Sequence, residues 1–177
     1  VDDAGEPYIL RRENRFDQKW QTVLSQVSWV VLKDGEPQTP RNETVLRYDE
    51  LGRLKSRMNP GDQPATPSME VSYELGDPVS RIMIKLRSET NGALDRESMQ
   101  CLDGRGRDVQ TRTKISEGRF LVTGFKVYNR RGAVIQAFEP YESASGECDM
   151  SVPQDVRVTS TKFDAQFRPL ERTLPDA

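Results

Sequence analysis

The 177 residues predict an all-β chain of antiparallel hairpins strung into a curved, mostly single-layer sheet. Three observations lead there. A short phrase recurs: an aromatic or large apolar residue, Asp or Asn, two free positions, then Gly and Arg. Around its copies apolar and polar residues alternate, which is the period of a half-buried strand. Apolar residues make up only 34% of the chain and charged ones 31%, too lean for a thick core, yet the patterning is too regular for disorder.

The clearest copy of the phrase is Tyr48-Asp49-Glu50-Leu51-Gly52-Arg53. Leu102-Asp103-Gly104-Arg105-Gly106-Arg107 and Tyr128-Asn129-Arg130-Arg131-Gly132 repeat it closely. Phe163-Asp164-Ala165-Gln166-Phe167-Arg168 and Phe16-Asp17-Gln18-Lys19-Trp20 keep the aromatic and Asp but lack the glycine, while Val1-Asp2-Asp3-Ala4-Gly5 carries Asp and Gly. Pro60, Pro140 and Pro175 each lie twelve positions after an aromatic of the series: Tyr48, Tyr128 and Phe163. An Asp or Asn side chain at the start of a turn accepts from the backbone just ahead of it, and Gly takes the left-handed conformation that closes the turn with a bulge. The aromatic then ends one strand, the Arg opens the next, and the proline, lacking an N–H, stops that strand. Recurrence of such a unit is the signature of a repeat architecture.

In chain order, the β-branched run Val23 to Leu32 reads as a strand ending at Asp34-Gly35, with Pro37 and Pro40 in the loop beyond. Glu43 to Tyr48 leads into the first full corner, and Leu54, Ser56 and Met58 alternate behind it. Pro60 to Ser68 reads as a loop. Met69, Val71 and Tyr73 alternate up to a degenerate turn at Leu75-Gly76-Asp77-Pro78, and Ile82, Ile84 and Leu86 mark the next strand. Asn91-Gly92 is a two-residue hairpin signal, with Ala93 to Cys101 returning antiparallel. Phe120 to Tyr128 reads as a strand interrupted at Gly124, followed by the alternation Val134, Gln136, Phe138. Tyr141 to Pro153, small and acidic, reads as a loop, and Val156 to Phe163 as a strand entering the last corner. One buried ring contributes roughly 2 kcal/mol, whereas ordering each backbone residue costs about 1–2 kcal/mol. No hairpin stands alone on those terms, so neighbouring units must stack.

The chain contains no histidine, which removes His-dependent triads, Cys-His dyads and most zinc sites. It has no nucleophile elbow, phosphate loop or dinucleotide fingerprint, and neither enzymatic activity nor a cofactor or metal is expected. Asp103 to Asp108 has the outline of a calcium loop, but Arg105 and Arg107 stand where oxygen ligands belong. Cys101 and Cys148 fit no metal spacing; their pairing is open at this level, and two free thiols packed as small core residues are the expectation. Trp20, Trp29 and the tyrosines offer a platform for sugars, although burial in the sheet is the simpler expectation. A net charge of -2 gives no reason to bind nucleic acid, and the longest apolar run, Val27 to Leu32 with Ser28 inside it, is too short to span a bilayer. Arg11-Arg12 and Arg130-Arg131 read as solvated faces or ion pairs. A chain starting at Val1 without methionine is expected to be a piece of a longer protein, with residues 1–177 one repeat segment. Its sheet edges are expected to favour edge-to-edge self-association.

Tyr48-Asp-Glu-Leu-Gly-Arg-Leu54 resembles the YD repeat of Rhs and teneurin proteins. The ordered segments Leu102 to Gln110, Val127 to Gly132 and Gln136 to Glu142 resemble more specifically the B component of bacterial insecticidal toxin complexes. The resemblance covers most of the chain and is strongest from Leu102 to Glu142. It implies a secreted bacterial shell that encloses a toxic polypeptide and is completed by a C-type subunit, this chain forming one arc of the wall. The propeller, the C-terminal core signature with its cleaving aspartates and the effector of that family are not found in these residues, so no autoproteolytic role is carried over. A carbohydrate- or receptor-binding repeat module is the alternative.

Overall fold

The computed structural model describes residues 9–19, 23–33, 36–37, 43–76, 78–89, 92–151 and 154–175. They form fifteen strands and no helix, so the all-β, antiparallel class is as the sequence predicts. The chain divides into two compact units: Val1–Val71 with Lys85–Asp95, and Ser72–Ile84 with Arg96–Ala177.

The first unit holds β1 (Ile9–Phe16), β2 (Val23–Lys33), β3 (Glu36–Pro37), β4 (Glu43–Tyr48), β5 (Leu54–Met58) and the start of β6 (Met69–Glu74). Their hydrogen-bonded order is β1-β2-β4-β5-β6, with the short β3 beside β2. The short corner from Asp49 to Arg53 brings β5 straight back on β4 and fixes its register, Val45 opposite Met58; β2 pairs with the other side of β4, Ser25 opposite Val45. Ser56 and Met58 are buried while Lys55 is exposed, so the alternation read behind the first corner is the burial pattern of β5.

The second unit carries β7 (Val79–Leu86, its last two residues in the first unit), β8 (Arg96–Asp103), β9 (Asp108–Ser116), β10 (Arg119–Thr123) and β13 (Tyr141–Ser143) in that order. A separate sheet runs β11 (Lys126–Tyr128), β12 (Val134–Phe138), β14 (Val158–Phe163), β15 (Pro169–Thr173). The main core of this unit lies between the two sheets. Val109 of β9 and Val122 of β10 pack with Phe125 and with Phe138 of β12, and the two rings stack at 5.0 Å. Gly124, at φ +66°, turns the chain from one sheet into the other. The expected interrupted strand from Phe120 to Tyr128 is therefore two strands in two sheets.

Three more expectations change. Cys101 and Cys148 form a disulfide rather than two free thiols, bringing β8 against the segment after β13. Tyr141–Ser143, read as loop, is β13, paired with Phe120–Val122 of β10 where Tyr141 joins the core. Asn91 lies outside the described residues. The return strand starts at Arg96 instead of Ala93, because Gly92 closes a local turn on the Glu89 carbonyl and Asp95 accepts from the Ser88 N–H. The copy at residues 1–5, Trp20, Asp34-Gly35 and Pro40 also lie outside the described residues.

Candidate functional site

The residues singled out by the repeated phrase make four corners of one geometry. Tyr48 pairs with Leu54, Leu102 with Asp108, Tyr128 with Val134 and Phe163 with Pro169, in each case the first position with the residue six places on. One residue further out the pairing jumps by an extra place, as in Arg47 with Ser56 and Lys162 with Glu171, which is the bulge the turn demands. Within each corner the second residue closes the loop with its backbone. The N–H groups of Asp49, Asp103, Asn129 and Asp164 donate to the carbonyls of Arg53, Arg107, Ala133 and Arg168 at 2.9–3.0 Å. The fifth residue donates back, and it is left-handed: Gly52 (φ 76°), Gly106 (73°), Gly132 (97°) and, in the last corner, Phe167 (67°). Losing the glycine from the phrase did not abolish the turn; Phe167 adopts a conformation that costs a non-glycine residue about 1–2 kcal/mol.

The side chain of the second residue does the rest. Asp103 Oδ1 accepts from the N–H groups of Arg105 (2.9 Å) and Arg107 (3.0 Å), and Oδ2 accepts from the Arg107 guanidinium (2.6 and 2.8 Å). Asp49 and Asp164 repeat this with Arg53 and Arg168. Asn129 repeats only the Oδ1 half, accepting from the N–H groups of Arg131 and Ala133. The contrast follows from valence. A carboxylate has a second anionic oxygen to satisfy and its sixth residue is Arg; an amide has none, and its sixth residue is Ala133. Arg107 and the nearby N–H groups hold Asp103 below the usual carboxylate range despite some burial. At Asp49 burial pushes upward, but the Arg53 N–H and guanidinium outweigh it; at Asp164 the Arg168 N–H leads the lowering. The degenerate Asp17 keeps one element of the corner, accepting from the Lys19 N–H at 2.8 Å.

In the second unit each corner reaches the next. The Arg107 guanidinium lies 4.0 Å over the Tyr128 ring, whose hydroxyl donates to the Asp108 carbonyl at 2.8 Å. Arg131 lies 5.3 Å over Phe167 and donates to the Ala165 carbonyl at 2.5 Å, so this member of the Arg130-Arg131 pair is a corner-to-corner contact. In the first unit the Tyr48 hydroxyl donates to the Val23 carbonyl at 2.8 Å. Pro60, Pro140 and Pro175 stand just past the ends of β5, β12 and β15. Beside the last two corners an open groove of about 690 Å³ is lined in part by Arg131, Ile135, Lys162, Phe163 and Phe167. Trp29 lies on β2.

Two polar clusters lie outside the repeated phrase. In the Pro60 to Ser68 loop, Asp62 is buried against Arg87, and it accepts also from the Asn59 N–H (2.8 Å) and the Ser68 hydroxyl. Burial alone would raise the Asp62 carboxyl; the Ser68, Asn59 and Arg87 donors together hold it below its ordinary value. On β9, Gln110 and Arg112 are 1% and 2% exposed, and both bond to the segment after β13. Burial lowers the Arg112 pKa, against the opposing fields of Tyr141, Asp149 and Glu147. Two-place spacing on one strand face was the available sign, but it is shared by many exposed strands. Among the described residues no group of three or more His, Cys, Asp or Glu is placed to hold a metal ion.

No family model matches the chain, and no curated protein matches it. Among solved structures it is similar to the crystal structure of TcdB2-TccC3, with a TM-score of 0.67 and 14% identity, over 93% of this chain. The chain spans 10% of the length of that one. At this identity the likeness is one of architecture: the chain shares an all-β fold with part of that structure.

Proposed function

We propose that the chain is a non-enzymatic structural segment of a shell that encloses a toxic polypeptide in a secreted bacterial toxin complex. The observation that carries this reading is the set of four corners with one register, whose polar side chains are spent on closing hairpins and on reaching the next corner. Such corners tile a wall; they offer no converging acid and base. The likeness in fold to TcdB2-TccC3 and the order of the segments from Leu102 to Glu142 support the same reading. Its partners are then the rest of its own shell, a C-type subunit and the enclosed effector.

The test is made in the full-length parent protein, co-produced with its C-type subunit. The intact assembly is expected to shield the effector from trypsin. A parent carrying Asp103→Ala and Asn129→Ala, which remove two corners, is expected to expose it. Equal protection in both assemblies, with both corners shown by hydrogen exchange to be open in the variant, overturns the reading.

A further inference from the structure

The segment from Ala144 to Ser151 leaves β13 and crosses the face of four strands as a strap. It is fastened chiefly through side chains. Cys148 is bonded to Cys101 of β8, and the Gln110 amide of β9 donates to the Asp149 carbonyl at 2.6 Å. Arg112 of β9 donates to the Ser145 carbonyl at 2.6 Å and to the Ser143 hydroxyl at 3.2 Å. Arg81 of β7 pairs with Glu147 at 2.5 Å, and Gly146 lies against the ring of Phe120 on β10. Within the strap the hydrogen bonds are local: Ser145 N–H to Ser143 Oγ, Glu147 N–H to Ser145 Oγ, Ser151 N–H to Asp149 Oδ1. Beneath it lies a small apolar cluster of Val79, Met99 and the two cysteines.

These fastenings differ in kind. The disulfide is the single covalent one, and it closes a span of 47 residues. The Arg81–Glu147 pair is exposed at its acid end, where such a pair contributes little. Gln110 and Arg112 are buried and each donates to a strap carbonyl, a bond that water replaces once the strap lifts. A strap without ladder bonds, held by groups that water serves equally well, depends on its covalent bond to stay down.

We propose that the strap is a redox-released cover: a dithiol reductant splits the Cys101–Cys148 bond, the strap lifts, and the face of β8 and β9 is uncovered while both sheets stay folded. Cys101 is fully buried and Cys148 is 8% exposed, so attack falls on the Cys148 sulfur. A thiolate of the reductant bonds to that sulfur and expels the Cys101 thiolate, which takes a proton. The reductant's second thiol then displaces Cys148 as a thiol and leaves as the cyclic disulfide. The inference is independent of the shell reading, and its test uses no toxin assembly.

The test is digestion of the full chain by a glutamate-specific protease, with and without dithiothreitol, following the cut after Glu147 by mass and the β content by circular dichroism. Cleavage at Glu147 is expected to accelerate at least tenfold on reduction, with the β signal kept. Cys148→Ser is expected to give the fast rate without reductant and no response to it. Three results each overturn the proposal: a bond that stays intact under dithiothreitol, protection at Glu147 that persists after both thiols are shown to alkylate, or loss of the whole β signal on reduction, which makes the bond a staple of the fold instead.

Discussion

Gly104 and Gly106 sit in one corner, and a methyl group added at either meets nothing within 4 Å. Only Gly106 is left-handed, at φ +73°. Gly106→Ala is therefore expected to cost about 1–2 kcal/mol from the backbone alone. Gly104→Ala is expected to be neutral, or to stabilise by up to about 1 kcal/mol through the unfolded chain. Urea titrations of the two variants decide it; matching midpoints would remove the backbone explanation of the phrase. The aspartates make a second prediction. Asp49, Asp103 and Asp164 titrate lower when folded than when unfolded, so the stability they add is complete above the unfolded carboxylate value and is lost as pH falls through it toward the folded one. Melting temperatures are expected to decline below about pH 4, and Asp103→Asn to flatten that decline. A decline of unchanged slope in the variant would assign it to other groups. The bonds from these carboxylates to the backbone just ahead were legible beforehand because they span only two to four residues, within reach of turn chemistry; the guanidinium contacts were not. Phe167 was not: the phrase put a corner at Phe163 to Arg168 but, lacking the glycine, did not say which residue turns left-handed.

Strands were legible where a corner and a proline bracket an alternating run. Glu43–Tyr48, Leu54–Met58 and Val134–Phe138 fall where the pattern puts them. β13 was not, because its neighbours are acidic and small and its pairing with β10 is made across an intervening sheet crossing. The hairpin β9–β10, closed at Glu117-Gly118, also passed unnoticed: Gly118 is left-handed, but no aromatic precedes it to complete the phrase. The loop between β5 and β6 hides a buried ion pair, since nothing local links Asp62 to Arg87. Their side chains are 2% and 3% exposed, which makes breaking the pair costly. Arg87→Ala is expected to destabilise by about 3–5 kcal/mol by leaving a buried carboxylate unpaired, and the double change Asp62→Asn with Arg87→Met by distinctly less. A single variant no worse than the double would show that the carboxylate finds water instead.

At the scale of the molecule, the all-β class was legible because every corner announces a reversal, whereas the partition into two sheets rested on Gly124 and on rings that meet only in the folded chain. The disulfide was equally hidden: its partners are 47 residues apart, and spacing alone does not report which segments approach. β15 is exposed along its length at the end of the second sheet, with Leu170 70% exposed. Sedimentation velocity is expected to show association that rises with concentration and is suppressed by Leu170→Lys, since a charge on an edge strand opposes pairing. A variant that associates as strongly as the parent chain places the contact elsewhere. One property of the corners reaches furthest. Each hands the chain on with the same offset, so the hexapeptides are interchangeable cassettes: grafting Tyr128–Ala133 in place of Leu102–Arg107 leaves the inward and outward parity of every later side chain intact. A single inserted letter inverts it. Such a polypeptide tolerates evolution by exchange of whole corners far more readily than by changes in their length.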